Sequence, residues 1–167
     1  MLQKIKNHYT YLKGEHLYKQ LGTMLRGDII ADTFYYFKEA ASNGHTKSKV
    51  RVYQLYEMCG TTGTICGITR DISIEWLEQA SDEGDKQAHY LLGKWHMDEY
   101  RYDTAYELFE RSGTTKSYVK QGYILYYIKK SREQAFEKYI QAEQMGWHDK
   151  NGIMKRMFSD KYNWQND

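Results

Sequence analysis

Four segments of the chain end in the same way, and this internal repetition constrains the possible folds more than any other feature. Each has a bulky pair or a single aromatic residue, then small residues, then a glycine. The segments are Tyr36–Gly44, Trp76–Gly84, Leu108–Gly113 and Lys138–Gly146. Their glycines lie 40, 29 and 33 residues apart, which is in the range of helical hairpin repeats. We therefore expect four related units, the third being the shortest.

A second pattern follows the glycines. Four residues after each of the first three comes a small residue, at Ser48, Ala88 and Ser117. Four and five residues further on come the pairs Val52-Tyr53, Leu92-Gly93 and Gln121-Gly122, and an earlier copy of this step is Leu17 followed by Leu21-Gly22. Residues at these spacings share one face of a helix. Each unit is thus expected to contain helix A, a turn, helix B and a terminating glycine, the residue that best adopts the left-handed conformation.

Together the two patterns predict an all-α fold in a single helical-repeat domain over 1–167. The expected repeats are 14–44, 45–84, 85–113 and 114–146, with a capping helix within 147–160. Helices A are expected at 14–26, 45–59, 85–97 and 114–128, and helices B at 31–43, 72–83, 101–112 and 131–145. The glycine- and threonine-rich segment 60–71 cannot continue a helix, so we expect an enlarged loop there, either functional or merely tolerated. The absence of proline suits helices joined by short turns.

These residues resemble the Sel-one-like repeat family, a relative of the tetratricopeptide repeats, over roughly 14–150. The best matches are Ala88, Leu92-Gly93, Trp76–Gly84, Ala135–Gly146 and Tyr36–Gly44. The chain departs from the family pattern where Tyr53 replaces a glycine and where His96 and Leu125 replace a tyrosine. The resemblance implies an α/α solenoid, a right-handed superhelix of stacked hairpins. It also implies an adaptor that binds other proteins.

Composition disfavours several other classes of protein. The net charge is only +2, and basic and acidic residues are mixed along the chain, whereas a nucleic-acid-binding domain usually concentrates its positive charge. No apolar run approaches the roughly 18 residues of a membrane-spanning helix, and the N-terminal residues lack the apolar stretch of a secretory signal. We therefore expect a cytoplasmic protein with no nucleic-acid or membrane partner.

The sequence offers weak evidence for catalysis. His89 and His96 are seven residues apart on one expected helix, but no HExxH-like pattern accompanies them. Cys59 and Cys66 form no CxxC motif, and the segment 60–64 lacks the lysine of a phosphate-binding loop. We predict no enzyme activity, no catalytic residue, no metal and no cofactor. A thiol-dependent enzyme or redox protein that uses either cysteine remains an alternative.

Tetratricopeptide geometry, used as an analogy, places helices A along a concave inner face. The protein-binding residues expected there are Lys19, Thr23, Arg26, Lys47, Gln54, Glu57, Tyr90, Lys94, Met97, Tyr123 and Tyr126, and the same face would include His16, Val50, Gln87, Lys116 and Val119. The expected groove runs from basic to aromatic. Any one tyrosine is equally compatible with a place in the core, because the 17 tyrosines suit cores and interfaces alike.

The favoured function is therefore a non-catalytic protein–protein interaction module, an adaptor or scaffold that binds a partner protein or peptide. A narrower alternative is a bacterial immunity protein or inhibitor that neutralises a toxin or effector by binding it. RNA binding through aromatic stacking is disfavoured by the near-neutral charge. We expect a monomer or a weak homodimer, since exposed apolar ends can drive association.

Overall fold

A computed structural model describes residues 2–21, 26–60 and 67–159, and these residues form helices and connections with no β-strand. The helices are α1 Leu2–Leu21, α2 Gly27–Ser42, α3 Thr46–Cys59, α4 Arg70–Asp82, α5 Lys86–Asp98, α6 Tyr102–Ser112, α7 Thr115–Tyr123, α8 Arg132–Gln144 and α9 Ile153–Met157. The predicted all-α fold is confirmed. Within the described ranges, no helix has both the length and the apolar character needed to cross a bilayer.

The chain divides into two compact units, 1–88 and 89–167. In the first unit, helices adjacent in sequence pack together from α1 to α4, around a core that includes Phe34, Phe37 and Leu55. In the second unit, α6 packs on α7 and α7 on α8. Its core includes one cluster around Phe109 and another around Tyr139, and the residues after α8 contribute to the second cluster.

The four repeat glycines end helices as predicted. Gly44, Gly84, Gly113 and Gly146 have φ angles of 81°, 84°, 56° and 86°, a region that residues with a side chain rarely adopt. At Gly44, the Gly44 N–H donates to the Ala41 carbonyl at 2.9 Å and the His45 N–H donates to the Ala40 carbonyl at 3.0 Å. This pair of hydrogen bonds is a Schellman motif. It satisfies carbonyls that the end of α2 would otherwise leave without partners.

The residue after each of the first three glycines caps the next helix. The Ser48 N–H donates to His45 Nδ1 at 3.3 Å, the Ala88 N–H donates to Asp85 Oδ1 at 2.9 Å, and the Ser117 N–H donates to Thr114 Oγ1 at 3.3 Å. The three small donor residues are those singled out in the sequence, and each is 0% exposed. The chain therefore ends one helix and begins the next within a few residues.

A close contact between a glycine of helix A and a ring of helix B recurs in three hairpins. A β-carbon at Gly14, Gly93 or Gly122 would lie 2.6, 2.8 or 2.7 Å from a ring carbon. The rings belong to Phe37, Phe109 and Tyr139 respectively. These glycines let the helices approach more closely than any side chain would allow.

In the second hairpin the large aromatic side chain lies on helix A, and the smaller side chain lies on helix B. Tyr53 occupies the glycine position of helix A, and Leu77 occupies the ring position of helix B. Both are buried, at 4% and 0% exposure. The larger side chain in one helix thus coincides with a smaller one in the other, which keeps the buried volume of the hairpin similar.

The largest differences from the predicted helix boundaries lie in α1 and in the C-terminal helix. α1 begins at Leu2 rather than residue 14, and its ring-contacting glycine is Gly14, so the predicted Leu21-Gly22 step was the wrong register. The C-terminal helix is only Ile153–Met157, shorter than the predicted cap. It begins where the backbone N–H groups of Ile153 and Met154 donate to the Asp149 carboxylate, at 2.6 and 2.8 Å.

A π-helical turn, Ile124–Ile128, follows α7. The Lys129 N–H donates to the Ile124 carbonyl at 3.0 Å, five residues back. Lys130 then adopts a positive φ of 55°, which is uncommon for a residue with a side chain. A wide turn of this kind often occurs at functional sites in proteins, and here it carries two tyrosines.

Candidate functional site

The first unit contains a cavity of 420 Å³ beside α3, which we call the polar cavity. Four of its lining residues come from successive turns of that helix: Lys47, Val50, Arg51 and Gln54. Tyr11 of α1 lies on another side, and Asp85 and Gln87 complete the lining. The helices place these side chains together because residues three and four apart lie on one face.

Arg51 is the electrostatic centre of the polar cavity. Its guanidinium forms an ion pair with Glu15, and Nη2 donates to Glu15 Oε2 at 3.0 Å. Nη1 donates to Gln54 Oε1 at 2.7 Å, and the guanidinium carbon lies 4.9 Å from the ring centre of Tyr18. Burial, together with the negative charge of Glu15, raises the pKa of Tyr11. Arg51 is thus held in place rather than presented to a ligand as a mobile charge.

The second unit contains a cavity of 530 Å³, which we call the tyrosine cavity. Its aromatic and aliphatic lining consists of Val119, Tyr123, Tyr126, Tyr127, Tyr139, Ile153 and Met157. The ring centres of Tyr123 and Tyr127 are 4.7 Å apart, and those of Tyr126 and Tyr127 are 4.9 Å apart. Tyr123 and Tyr127 remain 42% and 45% exposed. The π-turn therefore presents a cluster of phenol rings at the mouth of this cavity.

The inner wall of the tyrosine cavity contains a buried tyrosine, and two cationic side chains also line the cavity. Tyr139 is 1% exposed, and burial raises the pKa of its hydroxyl far above the ordinary value of 10, so this group stays neutral. Lys120 and Arg156 also line the cavity, and none of its described lining residues is a carboxylate. Burial, and the nearby positive charge of Lys94, lower the pKa of Lys120, while Asp98 opposes this effect. The walls are positive where they are not aromatic or aliphatic.

The structure brings several of the predicted residues together. Lys47, Val50, Gln54 and Gln87 line the polar cavity, and Val119, Tyr123 and Tyr126 line the tyrosine cavity. Tyr90 and Met97 instead pack, half-buried, on the cluster around Phe109. Lys94 on α5 is half-buried, while Glu57 on α3 and Lys116 on α7 are exposed and line neither cavity.

The residues predicted for the first repeat are displaced. Arg26 does not lie on the first helix: it precedes α2 and forms an ion pair with Asp28 at 2.7 Å. Lys19 is exposed near the end of α1 and lines neither cavity, and His16 lines a separate groove with Tyr9. Thr23 lies outside the described residues. The cause is the register error in α1, because residues counted from Gly14 instead reach Tyr11, Glu15 and Tyr18.

Several residues of the two cavities were missed by sequence reasoning. Counting from Gly14 would have identified Tyr11 and Glu15. Lys120 and Tyr127 each follow a predicted residue by one position, and the π-turn widens the helix near Tyr127. Arg156 and Met157 line the tyrosine cavity from the short α9, whose register no repeat pattern predicts. No sequence signal indicated that this segment folds beside α7.

The other groups considered in the sequence form no described reactive cluster. His89 is 8% exposed, and burial lowers the pKa of the half-buried His96. Cys59 is buried, and Cys66 lies outside the described residues, as does the part 61–66 of the loop 60–71. Among the residues that the structure describes, no group of three or more His, Cys, Asp or Glu side chains is placed to hold a metal ion.

The amino-acid sequence matches no protein-family model and no curated protein. The resemblance to Sel-one-like repeats therefore depends on the glycine, small-residue and aromatic positions described above.

Proposed function

We propose that this chain is a Sel-one-like helical-repeat protein of the α/α solenoid type, whose function is to bind another protein without catalysis. The supporting observation is the location of the two cavities. In each unit, helix A residues at corresponding register positions line a concave surface. Gln54 and Tyr123 are one such pair, since each directly follows the position that contacts helix B.

The chemistry of these surfaces supports a macromolecular partner. Tyrosine is enriched at the energetic centres of protein interfaces because it buries a large area and also offers a hydroxyl. Tyr123 and Tyr127 are exposed and are therefore available for such a contact. In the polar cavity, exposed Lys47 lies beside Gln54 and Asp85, a mixture typical of the polar rim of an interface.

Affinity capture tests this proposal. The tagged full chain is immobilised, exposed to lysate of the cells that produce it, and washed at high salt before the retained protein is identified. We expect one stoichiometric partner. Tyr123→Ala and Lys47→Ala should each weaken its binding, the tyrosine change by about tenfold or more. Tyr35→Ala and Lys38→Ala, exposed residues of α2, are the matched controls and should leave the affinity unchanged.

Two results would contradict the proposal. One is an empty column with protein whose circular dichroism is helical. The other is a partner whose affinity is lost with the α2 controls and retained with Tyr123→Ala and Lys47→Ala. Where a partner is retained as expected, its identity and the effect of binding on its activity distinguish an adaptor from an inhibitor.

A further inference from the structure

The geometry points to a specific ligand chemistry for the tyrosine cavity: we propose that it binds an acidic peptide segment carrying one aromatic or large apolar anchor residue. This inference rests on the proposed function and adds the chemical class of the partner. Two features carry it, namely the pair of cations that line the cavity and the phenol cluster at its mouth.

Charge complementarity selects an acidic ligand. Lys120 of α7 and Arg156 of α9 line the cavity from different helices, so a bound segment lies between two positive groups. Lys94 adds positive charge close to Lys120, and Asp98 offsets part of it. An added carboxylate stabilises the charged form of the half-buried Lys120. A basic segment has the opposite effect.

The volume and the lining of the cavity favour a ligand with one aromatic or large apolar side chain. A volume of 530 Å³ is within the range of sites that enclose a small ligand or a side chain. Val119, Ile153 and Met157 provide aliphatic contacts, and Tyr123 and Tyr127 provide ring faces. An aromatic side chain stacks on these rings, and methionine offers a contact surface that adapts to its shape.

A peptide fits this chemistry better than a nucleic acid does. Nucleic-acid affinity depends on many phosphate contacts and on an extended positive surface. The cavity lining has two cations, and the whole chain has a net charge of +2. An acidic peptide offers a few carboxylates for the two cations and one anchor side chain for the apolar part of the cavity.

The test is an NMR titration of the ¹⁵N-labelled full chain with short unlabelled peptides. The first peptide has a central phenylalanine flanked by glutamate and aspartate, the second replaces the acidic residues with lysine, and the third replaces phenylalanine with alanine. We expect the first to shift amide signals of α7, the π-turn and α9. Its dissociation constant should be at least about tenfold lower than those of the other two, and should rise with salt.

Charge variants locate the binding site. Lys120→Gln and Arg156→Gln should each raise the dissociation constant of the acidic peptide about three- to tenfold. Lys155→Gln is the matched control, because it removes the same charge from the neighbouring position of α9, and that position does not line the cavity. The amide spectrum of each variant reports whether it is folded.

Four results would overturn this inference: no saturable shift with the acidic peptide, equal or tighter binding of the basic peptide, shifts confined to other helices, or tighter binding of a single-stranded oligothymidylate. Concentration-dependent shifts of the cavity residues without peptide would also overturn it, in favour of a second copy of the chain. The proposed function is judged separately. If Tyr123→Ala still weakens binding of the captured partner, the proposed protein-binding function is retained and only the preference for an acidic peptide is rejected.

Discussion

At the scale of single residues, the closest fit in this protein is between glycines of one helix and rings of the next. The ring of Tyr139 is almost completely buried, so it cannot swing aside to admit a larger neighbour at Gly122. Gly27, at the first turn of α2, has no atom within 4 Å of its would-be β-carbon. The same substitution should therefore have different effects at these two positions.

We predict that Gly122→Ala destabilises the fold by up to about 2 kcal/mol, because overpacking costs about 1–3 kcal/mol and outweighs the roughly 1 kcal/mol that alanine adds through helix propensity. Gly27→Ala should be nearly neutral or slightly stabilising. The free energies of unfolding in urea, followed by circular dichroism, measure both effects. Equal stability of the two variants would show that the Gly122 contact is not tight.

The second hairpin suggests how to rescue the Gly122 variant. Because Tyr53 is accommodated where the opposing position is Leu77, the double variant Gly122→Ala with Tyr139→Leu should lose less stability than the sum of the two single changes. A double-mutant cycle gives this coupling energy. Additive losses would argue that the two side chains do not share the same space.

At the scale of helices, the cap at the start of α3 depends on the protonation of one side chain. His45 Nδ1 accepts a hydrogen bond from the Ser48 N–H at 3.3 Å, and a protonated Nδ1 cannot accept. Burial, with nearby His8 and Lys47, lowers the pKa of His45 below its ordinary value of 6.5. Tyr11 also packs on this ring, with its ring centre at 4.5 Å.

The sign of the pH effect follows from this shift. In the window just below pH 6.5, the unfolded chain binds the proton and folded His45 does not, so the free energy of unfolding falls as the pH falls. His45→Asn keeps a capping oxygen and removes the titrating group. We predict little change in stability at pH 7 and a smaller loss between pH 7 and pH 5 than in the parent protein.

Urea unfolding at several pH values measures this difference. His148→Asn, at an exposed position, is the matched control for the loss of a histidine. An unchanged slope in His45→Asn would mean that another group dominates the acid sensitivity.

Most helices were predictable from the sequence because their glycine stops and small residues obey local rules. The start of α1 was not, since four of its buried residues are Asn7, Thr10, Gly14 and Leu21. Three of these are polar or lack a side chain, so no apolar stripe marks the inner face. Asn7 instead donates a hydrogen bond to the Asn43 carbonyl at 2.7 Å, a contact that only the folded hairpin creates.

At the scale of the whole chain, each unit has its own core. The cluster around Phe37 draws only on the first unit, and the clusters around Phe109 and Tyr139 draw only on the second. In helical arrays, stability is the sum of local terms and of contacts between neighbours. A local defect should therefore loosen its own unit most.

Hydrogen exchange provides a reciprocal test of this expectation. Gly14→Ala should reduce amide protection in α2 and α3 more than in α7 and α8, and Gly122→Ala should do the opposite. Each variant serves as the control for the other. Equal loss of protection throughout the chain in both variants would indicate a single cooperative unit.

The candidate site was predictable only where the helix register was correct. Lys47, Gln54, Val119 and Tyr123 of α3 and α7 line the two cavities, whereas Lys120, Tyr127 and Arg156 required knowledge of the π-turn and of α9. The α9 segment packs on the core around Tyr139, and the sequence of Ile124–Ile128 has the composition of an ordinary helical segment. The positive charge of the tyrosine cavity was therefore invisible before the fold was known.

The left-handed glycines affect how substitution data on this protein should be interpreted. Gly44, Gly84 and Gly146 have no atom within 4 Å of a would-be β-carbon, so every side chain has room there. Their positive φ angles nevertheless disfavour residues with a β-carbon, whereas achiral glycine adopts them readily. In a saturation scan scored by the free energy of unfolding, these positions will tolerate few substitutions although a side chain would meet no clash, because the cost lies in the backbone conformation alone.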